Sequence, residues 1–159
     1  MLSDPFQRAP AQRGFTIVEL LIGMAIVVTL VALAIPITIS TVERMRISRA
    51  ISDIRTIEGE LQAFHSLNLR LPDTLAEIRR NDFLDPWGHP YQYLNFAAGG
   101  PGVRGQMRKD RFLVPLNTTY DLYSVGKDGR SKPPLTARDS QDDIVRANDG
   151  GFVGLASDY

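Results

Sequence analysis

The chain has 159 residues, with 18 basic and 18 acidic side chains, and no cysteine. That length holds one modest domain. Zero net charge argues against a nucleic-acid binder, whose footprint is a basic excess, and the lack of cysteine excludes disulfide scaffolds, cysteine-containing zinc sites and thiol nucleophiles.

The charge is distributed unevenly. Residues 15–42 carry one ionisable side chain, Glu19, whereas residues 43–159 carry 16 basic and 16 acidic ones. From Leu20 to Val42 the run is uncharged, and since ~20 apolar residues cross the ~30 Å hydrocarbon layer, the reading is a single membrane span. A signal peptide would have a shorter apolar core ending in a small-residue cleavage site. A buried core helix this uniformly apolar would need a larger protein around it. Arg8 and Arg13 precede the run and Arg44, Arg46 and Arg49 follow it, so charge alone leaves the orientation open. Glu19 is the costly residue, because a carboxylate in such a segment needs a partner. No Lys, Arg or His lies between Phe15 and Val42, which leaves a chain terminus, another subunit, a lipid headgroup or water. Snorkelling to the interface is the plain alternative.

The segment RGFTIVELLI, Arg13 to Ile22, resembles the processing motif of type IV prepilins and of the pseudopilins of type II secretion. The resemblance implies a cleaved leader, residues 1–14, cut on the cytoplasmic side between Gly14 and Phe15 by a prepilin peptidase that also methylates the Phe15 amine. The mature chain would keep 145 of the 159 residues. It further implies that Glu19 neutralises the Phe15 amine of a neighbouring subunit inside an apolar filament core, residues 15–42. Pro36, at the twenty-second mature position, is a family feature.

Beyond the apolar run, Ile47, Ala50, Ile51, Ile54, Ile57, Leu61 and Phe64 recur at three- and four-residue steps among charged residues. This is an amphipathic helix with one buried stripe. The span therefore continues as residues 43–66, and a helix from Phe15 to Ser66 would be a rod of roughly 80 Å, with bending favoured at Gly23 and Pro36. Residues 67–159 read as a globular domain. Thr74 and Glu77 form a capping-box pattern for a short helix from Leu75 to Asn81. The segment DFLDPWGHPYQYLNF reads as a turn around Trp87 and then a strand, with Trp87 covering a thin core. Residues 97–111 read as an exposed loop whose Arg104, Arg108, Lys109 and Arg111 either dock an acidic partner or are simply solvated, the second being favoured. Phe112 to Leu116 and Tyr120 to Val125 read as strands. The fold class is α+β: a type IV pilin-like long helix with a small antiparallel sheet of three or so strands packed on its distal half.

Two blocks, DPWGHPYQY (Asp85 to Tyr93) and YDLYSVGKDG (Tyr120 to Gly129), are similar to segments of the major pseudopilin of type II secretion and point to that branch. The tail from Asp128 carries Asp128, Asp139, Asp142, Asp143, Asp149 and Asp158. Acidic loops can hold Ca²⁺, which takes 6–8 oxygen ligands, although the stretch lacks the order of an EF-hand. The resemblance implies calcium in loop 125–143, with Asp128, Asp142, Asp143 and the Val125 carbonyl as ligands. The thirteen residues between Asp128 and Asp142 are more than the family's usual spacing, and Asp139 can substitute for one ligand.

The function expected from the resemblance is a structural subunit of a type II secretion pseudopilus that helps export folded proteins across the outer membrane. It implies self-assembly, minor pseudopilins, the peptidase and methylase, and an inner-membrane platform with its ATPase. The chain would sit first in the bacterial inner membrane with its amino terminus cytoplasmic, then in the periplasm. A surface type IV pilus subunit for adhesion, motility or DNA uptake shares the leader and the rod. An enzyme is the competing class, but His65 and His89 are the only histidines and no GxSxG, HExxH or phosphate-cradling loop is present.

Overall fold

A computed structural model describes residues 14–111 and 113–159, except for the side chains of residues 34–39. Residues 1–13 of the expected leader, with Arg8 and Arg13, lie outside the described residues. The chain divides into two units at Thr41 and Val42. One long helix, α1, runs from Ile17 to Asn68. It begins and ends within two residues of the expected bounds, and Gly23 and Pro36 both lie inside it. Among the described residues, no helix is long and apolar enough to cross a membrane. The span expected over Leu20 to Val42 includes the 34–39 segment, whose side chains lie outside the described residues.

In the first unit the described large apolar side chains lie on the surface of the helix. Every large one from Phe15 to Leu33 is between 51% and 87% exposed. The Thr29 hydroxyl among them is satisfied locally, since its Oγ1 donates to the Ala25 carbonyl at 2.7 Å. A helix that is apolar all round in this way requires an apolar environment supplied from outside.

In the second unit, Val42–Tyr159, the helix becomes amphipathic as its residue spacing predicts. Ala50, Ile54, Ile57 and Leu61 are fully buried and pack with Tyr120, Leu122 and Ile144 of the sheet and with Tyr91 just before it. The sheet has four strands, β1 (Gln92–Asn95), β2 (Tyr120–Ser124), β3 (Ile144–Ala147) and β4 (Phe152–Leu155). They form an antiparallel meander in the order β1-β2-β3-β4. Two of the four, β3 and β4, were not expected, and both follow the loop 125–143 read as the metal site.

The sheet is covered on both faces, with the period-2 alternation of strands sending residues either way. Leu122 and Ile144 face the helix, while Val145 and Ala147 pack in a second cluster with Leu116, Leu135 and Ala156. Residues 113–116 form no strand, contrary to expectation, and Phe112 lies outside the described residues. Instead Leu116 alone of this segment covers the sheet: it is 5% exposed and its amide donates to the Arg108 carbonyl at 3.0 Å.

The second helix is shorter than expected, one 3₁₀ turn from Leu75 to Ile78. Arg79 ends it in the left-handed region, φ 59°. Thr74 makes no side-chain cap, so the capping box does not close. Glu77 Oε1 instead accepts from the Asp73 amide at 2.6 Å, one residue earlier, and Arg70 Nη2 donates to Glu77 Oε2 at 2.7 Å.

Candidate functional site

The head of α1 is built by Thr16 and Glu19. The Thr16 amide and hydroxyl both donate to Glu19 Oε2 at 3.0 Å, and the Glu19 amide donates to Thr16 Oγ1 at 3.2 Å. This reciprocal arrangement is a capping box. Thr16 is thus a partner for the carboxylate that the sequence reading missed, although the T-x-x-E spacing at the start of the helix was its signal. Gly14, Phe15 and Glu19 are all exposed, and Phe15 is 87% exposed. The segment around the expected cut is accessible, and the carboxylate sits one turn into an apolar surface.

The two blocks that pointed to a single branch of the class meet in space. In the first, Asp85 Oδ1 accepts from the Trp87 and His89 amides at 3.0 and 2.8 Å, which closes the turn. Its other oxygen accepts from the Ser124 hydroxyl of β2. His89 Nδ1 lies 3.0 Å from the Gly126 carbonyl, and because a carbonyl only accepts, that nitrogen carries the proton. Trp87 Nε1 donates to Glu43 Oε1 at 3.1 Å, fastening the turn to the helix. His89 is therefore engaged in scaffolding, and His65 is exposed on the helix.

The tail acids point to different partners. The Asp128 amide donates to Asp142 Oδ2 at 2.9 Å, while Asp128 Oδ1 accepts from the Arg130 amide at 2.8 Å. Lys132 Nζ lies 2.9 Å from Asp139 Oδ2 and, by donating to it, holds that carboxyl below the usual carboxylate range. Asp143 is fully buried and accepts from Arg108 Nη2 and, at 2.6 Å, from the Ser131 hydroxyl. Burial pushes the Asp143 carboxyl up to about 6, against the lowering by Ser131 and Arg108. Val125 follows directly on β2, and Gly126 next to it has φ +65° with no room for a Cβ beside the Asp142 carbonyl. The structure thus brings Asp128 and Asp142 together but turns Asp143 and Asp139 toward cations of the chain itself. Among the described residues, no three metal-ligating side chains converge. The donor set expected for calcium is divided between the Asp128–Asp142 contact and the Arg108–Asp143 pair, with Asp143 Oδ1 buried and without a hydrogen-bond partner among the described residues.

Arg108 is the other departure. Expected in an exposed basic loop, it is 2% exposed, because its guanidinium finds buried acceptors that the loop composition does not reveal.

The amino-terminal residues 10–35 match the family model described as the prokaryotic N-terminal methylation motif. The chain is also 28% identical to the type II secretion system core protein G of Pseudomonas aeruginosa, over 75% of this chain and 86% of the relative. The chain is a distant homologue of the major pseudopilin of type II secretion. Similarity to the core protein G of Escherichia coli is 27%, over 74% of this chain and 83% of that one. For the Vibrio cholerae protein it is 24%, over 80% and 89%. No solved structure matches. The pseudopilin family is structural and non-enzymatic, and its members are anchored in the inner membrane before entering a periplasmic pseudopilus. The helix-and-meander architecture is pilin-like.

Proposed function

We propose that this chain is the repeating subunit of a type II secretion pseudopilus. It is inserted in the inner membrane with its amino terminus cytoplasmic, cut between Gly14 and Phe15, and methylated on the Phe15 amine by a prepilin peptidase. It then polymerises through the apolar half of α1, together with minor pseudopilins, on an inner-membrane platform driven by an ATPase. The growing filament helps move folded proteins across the outer membrane.

The observation that carries this reading is the exposed apolar surface from Phe15 to Leu33, headed by a cleavable motif and interrupted by one carboxylate. Lipid satisfies that surface before assembly and neighbouring helices satisfy it afterwards. The new Phe15 amine of one subunit and Glu19 of the next form a compensated pair, which favours one axial register. Thr16 holds the Glu19 carboxylate at the helix start, so its position is set before a neighbour arrives.

Two substitutions test the pairing. Glu19→Ala removes both the cap and the charge. Glu19→Gln keeps an acceptor oxygen for Thr16 and removes only the charge. Both variants are expected to be inserted and cleaved yet to give few sheared filaments. Normal filament yield from Glu19→Gln would show that the charge is not what registers the subunits.

A further inference from the structure

The oxygens of the tail already surround a cation, and it belongs to the chain. Arg108 Nη1 donates to the Lys132 carbonyl at 2.6 Å and to the Ser131 hydroxyl, and Nη2 donates to Asp143 Oδ2. The guanidinium carbon lies 4.4 Å from the centre of the Tyr123 ring. The arginine backbone is fixed as well: its amide donates to Asp121 Oδ2 at 2.6 Å, and its carbonyl accepts from Leu116. A carboxylate, a hydroxyl and a backbone carbonyl from two separate stretches of the tail therefore converge on one planar, permanently charged group, which is also stacked on β2. Its fork geometry suits several acceptors at once.

We propose that the Arg108 guanidinium is the resident cation of this tail, standing where the resemblance assigned calcium, and that the tail folds without metal. Asp143 Oδ2 is taken by Arg108 and Ser131, and Oδ1 is buried without a hydrogen-bond partner among the described residues. A divalent ion on its carboxylate would sit beside a buried guanidinium of the same sign, in surroundings where like charges repel strongly. Asp139 is paired with Lys132 and Asp128 Oδ1 accepts from the Arg130 amide, while Asp142, whose charge is felt at Asp143, accepts from the Asp128 amide.

The test uses the full-length chain in detergent, with millimolar calcium chloride or with excess EGTA, and reads the melting temperature and tryptic cleavage at Arg130 and Arg138. The wild type is expected to melt at the same temperature and resist trypsin equally in both buffers. Arg108→Ala is expected to be cut in the tail at least about tenfold faster in both buffers, because local opening sets the cleavage rate. Arg108→Lys keeps the charge but loses the fork, and is expected to fall between them. A wild type whose melting temperature rises by several degrees with calcium overturns the proposal, since a ligand bound only by the folded state raises its stability. So does an Arg108→Ala tail as protected as the wild type. Should Arg108→Ala not fold, the wild-type comparison and Arg108→Lys decide in the same way.

Discussion

Arg146 and Glu58 lie 88 residues apart in sequence and form a buried ion pair, Nε to Oε1 at 2.8 Å. The two side chains are 4% and 9% exposed. Arg146 also donates to Asn117 Oδ1 at 3.1 Å and stacks 4.3 Å over the Tyr120 ring. Such a pair is expensive to desolvate, so its worth shows mainly when one partner is removed. Arg146→Ala should lower unfolding free energy, as read by denaturant titration, by less than the ~3–5 kcal/mol of a buried charge left alone, because Arg55 Nη1 still donates to Glu58 Oε2 at 3.1 Å. Glu60 and Arg80 form a more exposed pair, in which the Arg80 hydrogen bonds hold the Glu60 carboxyl below its ordinary 4.5. A lowered folded value means the contribution is complete above 4.5 and is lost as pH falls through the lowered value. Glu60→Gln should therefore flatten the stability profile below that pH and leave its shape unchanged near neutrality. Neither the Arg146–Glu58 nor the Glu60–Arg80 pair was visible in sequence, where every one of the four residues reads as an ordinary solvated charge.

At the scale of elements, periodicity decided what was legible. The stripe from Ile47 to Phe64 announced the helix because one face is buried and the other wet. β1 and β2 were announced by aromatic alternation. β3 was hidden, because a sheet covered on both faces loses its apolar and polar alternation: all four of its residues, Arg146 included, are buried. The β3–β4 turn, NDGG, did carry a hairpin signal, masked by the acidic composition of the tail. Elsewhere a strand was expected over residues 113–116, but Leu116 donates to the Arg108 carbonyl and the Leu113 carbonyl accepts from the Asp110 amide, outside any ladder. Gly126 links β2 to the tail at φ +65°, with the Asp142 carbonyl where a Cβ would stand. Gly126→Ala should cost at least ~1–2 kcal/mol for the left-handed conformation alone. The Asp142 contact would add to that, so a thermal melt should show a clear loss.

For the whole molecule, the division between an apolar head and a folded domain was plain from charge counts alone, and the motif from Gly14 to Glu19 supplied its biological meaning. The candidate metal loop was less legible, because oxygen-rich tails look alike in sequence whether their acids converge on an ion or are taken up by arginine and lysine. Here Arg108, placed in an unrelated loop, takes up Asp143 only after folding. The central claim concerns the head: a leader is removed, and the exposed terminus and Glu19 drive assembly. Intact-mass measurement of the subunit recovered from sheared filaments tests this most directly. The account predicts a chain of 145 residues, the 159 less a leader of 14, beginning at a methylated Phe15. A filament subunit that still begins at Met1 would contradict it.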